Sequence, residues 1–249
     1  MNSKVGFLVV GAQKAGTTAL DAYLRQHEEL CFPSEKELHF FNNDTYFKGG
    51  RVDYSFYESR FICSSGSLLA GETTPAYMFW YPAFCRIYNY NPEMKLVFIL
   101  RNPCERAYSH WNMERNRGVE HRSFLSALEH ESSLVGISST IQNLVCSYLS
   151  RGFYSEQINR ALAYFSMDQM LFLRSDLLHS SPDLQLQKVW RFLGVCEKTV
   201  DPIRRENMHV GNYLNKMTVR EKTYLLNHYE SEIRQLERLL GWDCSAWLT

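Results

Sequence analysis

The most constraining feature of this sequence is the stretch from Val5 to Leu24, which reads VGFLVVGAQKAGTTALDAYL. Its first half is a short apolar run without helical spacing, which is typical of a strand that is buried on both faces. Gly11 ends the run, and Gly16 follows five residues later. Beyond Gly16 the apolar positions recur at helical spacing. The stretch therefore predicts a strand, a tight turn and a helix.

The turn between this strand and helix predicts an anion-binding site. Its glycines let backbone N–H groups point into the turn, and the N-terminus of a helix attracts negative charge. Lys14, Thr17 and Thr18 add one cation and two hydroxyls. A nucleoside-triphosphate P-loop places lysine directly after its last glycine, whereas here Thr17 holds that place. These residues predict a phosphate cradle of different chemistry, and an ordinary turn with an exposed lysine is the alternative they leave open.

Length and composition predict one α/β domain over residues 1–249, because folds of this class and length commonly stay single. Lys plus Arg and Asp plus Glu are equal at 27 each, which disfavours nucleic acid, an anionic membrane or a polyanion as partner. The start lacks the features of a signal peptide, and apolar runs stay short of a membrane span. We therefore expect a cytoplasmic protein, and the sequence gives no indication of its oligomeric state.

The seven cysteines are scattered, odd in number and without a C-x-x-C pair. We expect them to be reduced thiols, with no structural zinc.

The rest of the chain alternates apolar runs with helical patterns. Lys95–Leu100 predicts a central strand, and Asn102 followed by Pro103 predicts the start of a helix. Thr218 and Glu221 spell a capping box for the last helix, and residues 120–150 look helical with a break near Gly136. This order predicts a central parallel sheet flanked by helices, with the ligand beyond the carboxyl ends of the strands. Three polar clusters are expected there, at residues 11–18, 72–77 and 101–109.

Four motifs, GAQKAGTTAL, KELHFF, GETTPAY and LRNPCERAYSHW, resemble signatures of sulfotransferases that use 3'-phosphoadenosine 5'-phosphosulfate (PAPS). The likeness is greatest to the branch of heparan sulfate sulfotransferases and their bacterial relatives, and it runs from the first strand to residues 192–195. It implies a P-loop-like sulfotransferase fold, PAPS as sulfuryl donor, 3'-phosphoadenosine 5'-phosphate (PAP) as product, and no metal.

The resemblance also implies roles for residues that match the family motifs. Lys14 is implied to be catalytic, at the oxygen that leaves with the nucleotide. The turn is implied to hold the 5'-phosphate through Gln13, Lys14, Ala15, Gly16, Thr17 and Thr18. Arg101 and Ser109 match the residues that hold the 3'-phosphate. Tyr154 matches a segment near the adenine, and Arg205 lies in a stretch that only roughly resembles a nucleotide-closing loop.

A general base must take the proton of the acceptor. Glu37 matches the family's base, and if its segment is extended, His39 shares its face and is a possible partner or substitute. Glu72 is predicted to orient the acceptor or to support Lys14, and Tyr77 is predicted with it to bind the acceptor.

Thr73 stands where polysaccharide enzymes commonly carry lysine, which favours a small-molecule acceptor. The alternatives are a glycan sulfotransferase, a P-loop kinase or NTPase, and a catalytically inactive nucleotide-binding partner protein.

Overall fold

The computed structural model describes residues 4–64, 66–134, 145–201, 213 and 215–249. The chain divides into two compact units, Met1–Leu100 with Ile158–His209, and Arg101–Gln157 with Val210–Thr249. This division does not test the prediction of a single domain over residues 1–249, which stays a prediction.

The first unit contains a five-stranded parallel sheet in the order β2-β3-β1-β4-β5. The strands are β1 (Phe7–Gly11), β2 (Leu30–Cys31), β3 (Leu69–Thr73), β4 (Lys95–Leu100) and β5 (Met170–Arg174). The predicted central parallel sheet is confirmed, because both apolar runs that predicted strands lie next to each other at its centre. Residues 7–10 and 96–100 are fully buried, as expected for strands covered on both faces.

Close packing explains why β3 carries a glycine in its middle. A Cβ built on Gly71 would lie 2.2 Å from the ring of Phe7 on β1. Phe7 pairs with Gly71 in register, so the aromatic ring of one strand occupies the space above its neighbour.

Helices follow the strands, as the alternating pattern predicted. Those wholly in the first unit are α1 (Thr17–Leu24), α2 (Ser55–Glu58), α3 (Ala83–Tyr90), α7 (Ser175–Ser180) and α8 (Pro182–Leu193). Helix α6 (Tyr154–Leu162) runs from the second unit into the first. Helix α8 ends at Gly194, whose φ of 80° is the left-handed conformation that glycine adopts without steric cost.

Among its described residues, the second unit contains three α-helices that lie wholly within it. They are α4 (Pro103–Asn116), α5 (Phe124–Ser133) and α9 (Val219–Leu240), with α4 and α5 both packed on α9. Both predicted caps are confirmed. Asn102 accepts hydrogen bonds from the N–H groups of Cys104 and Glu105, and Thr218 forms the capping box with Glu221. Of the helix predicted over 120–150, residues 124–133 are helical and 135–144 lie outside the described residues.

The expectation that all cysteines are reduced is wrong. Cys31 at the end of β2 forms a disulfide with Cys63, which follows α2. The other five cysteines are free thiols. The bond depends on a Cα–Cα distance of 5.3 Å between residues separated by 32 positions, and residue spacing carries no signal of such proximity.

Among the described residues, no helix combines the length and apolar character needed to cross a membrane.

Candidate active site

The turn after β1 has the backbone geometry of an anion cradle. Gly16 has a φ of 102° and Lys14 a φ of 69°, so both adopt left-handed conformations. Helix α1 starts at Thr17, and within the described chain no side chain caps its first turn. The first N–H groups of a helix have no intrahelical acceptor. At the N-terminal end of α1 these N–H groups can therefore donate to an anion, beside the half-buried side chain of Lys14.

The observed turn is suited to an anionic ligand such as a nucleotide phosphate. Gln13 Oε1 is buried and has no hydrogen-bond partner among the described residues. A buried polar atom without a partner costs free energy unless a ligand or water satisfies it. The turn thus combines backbone N–H donors with a cation, which is the donor set that a phosphate requires. Gln13 Oε1 is a hydrogen-bond acceptor, so its partner would be a donor group of the ligand or a water rather than an ionised phosphate oxygen.

Strand pairing brings a second predicted cluster beside this turn. Thr74 N–H donates to Val9 O at 3.1 Å, and Met78 N–H donates to Val10 O at 2.9 Å. A Cβ on Gly11 would lie 2.7 Å from Met78 Cβ, so the start of the turn packs tightly on residues 75–78. Clusters 11–18 and 72–77 therefore lie together at the carboxyl edge of the sheet, as predicted.

The segment that carries Glu37 and His39 lies on the far side of β3. Glu37 N–H donates to Thr73 O at 3.1 Å. The segment is not extended, because Glu37 has a φ of 63° and His39 a φ of 54°. The two side chains nevertheless meet, with His39 Nε2 3.5 Å from Glu37 Oε2. Left-handed backbone conformations, rather than the alternation of a strand, bring this pair together.

The electrostatics of the pair favour an ionised Glu37 and a protonated His39. Burial raises the pKa of Glu37, but hydrogen bonds from His39 and Lys36 outweigh it and hold that pKa at about 2. The hydrogen bond to Glu37 raises the pKa of His39, against a smaller opposing effect of burial. His39 Nδ1 lies 3.1 Å from Asn42 Oδ1, so both ring nitrogens face acceptors, as an imidazolium requires.

Glu72 and Tyr77 are completely buried, at 0% exposure. The carboxylate of Glu72 accepts hydrogen bonds from the hydroxyls of Tyr57, Tyr77 and Thr74 and from Leu38 N–H. Burial raises the pKa of Glu72 and these hydrogen bonds lower it, with burial the larger effect. The prediction that these two residues contact the acceptor is untested, and their burial favours an indirect role.

The residues predicted to hold the 3'-phosphate belong to the second unit. Arg101 directly follows β4, and its guanidinium contacts Glu105 in the first turn of α4 at 3.0 Å. Ser109 lies on the same helix and is buried. Tyr154 is buried, and its hydroxyl donates to Arg101 O at 2.9 Å, so it holds the backbone of Arg101. Arg205, the predicted contact near the C-terminus, lies outside the described residues.

Two residues near the candidate site were not singled out for it from the sequence. Lys36 contacts Glu37 and helps to keep its carboxylate ionised. Ser175 opens α7 after β5, and its Oγ lies 3.6 Å from the position of a Cβ on Gly16. The sequence signal that could have placed Ser175 in the site is its position directly after a strand, since parallel strands have their carboxyl ends at one edge of the sheet.

A cavity of about 160 Å³ opens beside the segment that carries Glu37. Its lining is mainly aromatic, with one ion pair, and consists of Glu35, Leu38, Phe40, Tyr46, Phe56, Tyr57 and Arg60. Phe40 stacks on Tyr46 and on Tyr57, each at 4.8 Å between ring centroids. Arg60 and Glu35 neutralise each other at 2.6 Å. The cavity is therefore ring-sized and without net charge.

One group of potential metal ligands occurs in the described chain, formed by His27, Glu29 and Cys196. Its polar atoms already bond each other: Glu29 N–H donates to His27 Nδ1, and His27 Nε2 donates to Cys196 O at 2.9 Å. The prediction that the protein uses no metal stays a prediction.

Comparison with known proteins agrees with this architecture. Residues 5–237 match the sulfotransferase domain family. Mouse bifunctional heparan sulfate N-deacetylase/N-sulfotransferase 4 is 33% identical over 97% of this chain, which spans 31% of that protein's length. The human N-deacetylase/N-sulfotransferase 2 is 29% identical over 76% of this chain, with 22% of its own length covered.

Solved structures give the same result. A sulfotransferase from Alicyclobacillus acidocaldarius superposes with a TM-score of 0.82 at 26% identity, covering 99% of this chain and 100% of its own. Mouse sulfotransferase SULT7A1 complexed with PAP has a TM-score of 0.57 at 12% identity, covering 93% of this chain and 85% of its own, and shows likeness of fold alone. The fold and the turn define an α/β protein with an anion cradle at the edge of a parallel sheet. The chain belongs to the sulfotransferase family.

Proposed function

We propose that this enzyme transfers the sulfuryl group of PAPS to a hydroxyl, or an amine, of a small-molecule acceptor such as a natural product. One observation carries the proposal. A lysine inside an anion-binding turn lies at the same sheet edge as an ionised carboxylate held on the neighbouring strand.

Several observations support PAPS as the donor. The turn offers the N–H groups of α1 and Lys14 to a 5'-phosphate. Arg101 and Ser109, which match the family's 3'-phosphate residues, lie on the element that follows β4. The mouse SULT7A1 structure contains PAP. Bound PAPS would supply the sulfuryl group together with a nucleotide phosphate as leaving group.

Lys14 and Glu37 would then act on opposite ends of the transfer. Lys14 offsets the negative charge that develops on the departing phosphate oxygen, a role that magnesium performs in kinases. Glu37 receives the proton that the acceptor loses as its oxygen bonds to sulfur. The contact with Glu37 raises the pKa of His39. In its protonated form His39 would orient the carboxylate rather than act as the base.

The cavity beside Glu35 and Leu38 supports a neutral, ring-bearing acceptor. Its volume of about 160 Å³ is close to that of an engineered apolar cavity that binds benzene, roughly 150 Å³. Its single cation, Arg60, is already paired with Glu35. A sulfated polysaccharide would instead require cations that are not neutralised by the protein.

A glycan acceptor is the second candidate, since the similar curated proteins are heparan sulfate N-deacetylase/N-sulfotransferases. Thr73 replaces the lysine commonly found in polysaccharide enzymes, and its Oγ1 is buried without a partner among the described residues. This feature favours the small acceptor.

Incubation with ³⁵S-labelled PAPS tests the proposal against its rivals. One reaction contains 2-naphthalenemethanol, a neutral ring-bearing alcohol, and the other contains N-deacetylated heparosan. We expect label in the alcohol and none in the polysaccharide, and no transfer by Lys14→Ala. Label in heparosan alone would establish the glycan alternative. If PAP binds but a broad panel of alcohols, amines and glycans stays unlabelled, the chain is the inactive nucleotide-binding protein.

The cytoplasmic location stays a prediction, and the Cys31–Cys63 disulfide argues against it because such bonds are rare in the cytosol. Alkylation of thiols in protein taken directly from its source cells tests this point. Protection of two cysteines until reduction would indicate an oxidising compartment.

A further inference from the structure

We propose that Glu72 and Tyr77 are positioning residues for the segment that carries the candidate general base Glu37 and its partner His39. They hold this segment, residues 37–40 and called the base segment below, in its active conformation. This inference rests on the proposed function, because it assigns the supporting contacts of the same site. It replaces the predicted direct contact of Glu72 and Tyr77 with the acceptor.

The backbone of the segment that carries Glu37 and His39 adopts an unusual conformation. Left-handed conformations at residues other than glycine persist only where the surroundings impose them, and they concentrate at functional sites. Glu37 and His39 both adopt this conformation, two positions apart. The segment therefore needs external contacts that fix it, since its own residues favour other conformations.

Glu72 and Tyr77 supply those contacts. Glu72 Oε2 accepts from Leu38 N–H at 3.3 Å, the amide between the two left-handed residues. Tyr77 Oη accepts from Phe40 N–H at 3.0 Å, the amide that follows His39. Together with the bond from Glu37 N–H to Thr73 O, three amides of the segment are tied to β3 and the residues after it.

The buried carboxylate also fixes the tyrosine. Tyr77 donates its hydroxyl proton to Glu72 Oε1 at 2.7 Å, so its oxygen lone pairs face Phe40 N–H. Tyr57 donates to the same carboxylate oxygen at 2.9 Å. All four described groups that bond Glu72 are donors, which is the environment of a carboxylate that acts only as an acceptor.

The two tyrosines form a matched pair for a test. Each is at most 1% exposed, and each donates to Glu72 Oε1. Of these two hydroxyls, only that of Tyr77 accepts from a described amide of the base segment. Tyr57→Phe and Tyr77→Phe therefore remove equivalent bonds to the carboxylate, and they differ in the contact with Phe40.

We expect Tyr77→Phe to lower kcat for sulfation of 2-naphthalenemethanol about tenfold or more, since small displacements of catalytic groups have effects of this size. Tyr57→Phe is compared with it in hydrogen exchange and not in kcat, because Tyr57 lines the cavity proposed for the acceptor, and both variants should keep the wild-type KM for PAPS. Amide hydrogen exchange at residues 38–40, measured without nucleotide, should accelerate in Tyr77→Phe and stay near wild type in Tyr57→Phe. Glu72→Gln should resemble Tyr77→Phe if it folds.

Equal exchange at residues 38–40 in the two tyrosine variants, or a wild-type kcat in Tyr77→Phe, would overturn the positioning role. Faster exchange in both variants with a matching fall in Tm would indicate a merely structural carboxylate and overturn it as well. The exchange measurement needs no turnover. Wild-type protein that transfers no label while Tyr77→Phe alone loosens residues 38–40 would therefore refute the proposed function and leave the positioning role supported.

Discussion

At the residue scale, the displaced lysine is the feature with the greatest chemical consequence. Lys14 lies inside the turn in a left-handed conformation, between glycines whose backbone geometry forms the cradle. A cation fixed where charge develops stabilises a transition state more than a mobile one.

We predict that Lys14→Ala lowers kcat by at least about 100-fold, the effect of removing one group that stabilises developing charge. The Tm should stay within a few degrees of wild type, because Lys14 is half-buried at the surface of the turn. Lys48→Ala, a change of the same kind at an exposed position, is the control and should leave kcat unchanged. Comparable activity of the two variants would exclude the catalytic role of Lys14.

The dependence of kcat on pH distinguishes the two candidate bases. Glu37, with a pKa held at about 2, stays ionised as pH falls through the usual range of carboxylates near 4 to 5. The pKa of His39 is raised by its hydrogen bond to Glu37, so His39 loses its proton only above its ordinary value. If Glu37 is the base and protonated His39 its partner, kcat falls as pH rises through the raised pKa of His39.

The dependence of kcat on pH is measured with 2-naphthalenemethanol as acceptor, because its hydroxyl does not titrate in the pH range used. The fall at high pH should disappear in His39→Gln, and Glu37→Gln should lose most of kcat at every pH while its affinity for PAP is unchanged. A wild-type kcat that instead rises with pH through the histidine range would identify His39 as the base.

At the element scale, helix α4 would link stability to the proposed binding of the nucleotide. Its N-terminus is capped by Asn102, which lies between Arg101 and the helix that carries Ser109. Loss of the cap should therefore loosen the residues proposed to hold the 3'-phosphate.

We expect Asn102→Ala to lower the free energy of unfolding by about 1 kcal/mol, the usual cost of a lost N-cap. It should also weaken PAP binding several-fold in isothermal titration calorimetry. Ser123→Ala removes the corresponding cap of α5, where Ser123 accepts from Ser126 N–H, and is the matched control. Similar PAP affinities in both variants would contradict the assigned role of α4.

The disulfide is the second feature at this scale. It joins β2 to the segment after α2 and closes a loop between residues that are 32 positions apart in the sequence. Replacing both cysteines (Cys31→Ser and Cys63→Ser) should lower the free energy of unfolding by about 3 to 4 kcal/mol, the value that loop-closure entropy predicts for a loop of this length. Urea denaturation measures the loss, with Cys85→Ser, a free thiol, as control. An unchanged midpoint would show that the bond contributes nothing to stability.

At the scale of the whole molecule, ligand binding to the folded state alone raises Tm. PAP at about 100 times its Kd should stabilise the protein by about 2.7 kcal/mol. AMP, which lacks the 3'-phosphate, should stabilise it less at equal concentration, and EDTA should not alter either effect.

Arg101→Ala should abolish most of the difference between PAP and AMP in differential scanning fluorimetry, because the proposed partner of Arg101 is the 3'-phosphate. If the variant still distinguishes the two nucleotides as well as wild type does, Arg101 does not hold that group. Stabilisation by ATP with magnesium but not by PAP would favour the kinase alternative.

Local patterns predicted those elements of the fold whose signals lie within a few residues. The buried run before Gly11 and the run Lys95–Leu100 predicted the two central strands, since both are apolar without interruption. Asn102 and Thr218 predicted their helix starts because caps act on N–H groups two or three residues away. Cys31 and Cys63 could not be paired in this way, because their contact depends on how β2 and α2 lie in the fold.

The same distinction, between signals contiguous in sequence and contacts formed by folding, holds for the candidate site. The turn with Lys14 was predictable because glycines, lysine and helix start are contiguous in sequence. Only the tertiary structure decided how Glu37 meets His39, through left-handed backbones fixed by contacts from residues more than thirty positions away. The sequence by itself determined the fold class and the glycine-containing turn that carries Lys14, since these follow from local sterics and periodic burial. The tertiary structure decided the disulfide, the burial of Glu72 and the direction in which the pKa values of Glu37 and His39 are shifted, because each depends on atoms brought together by folding.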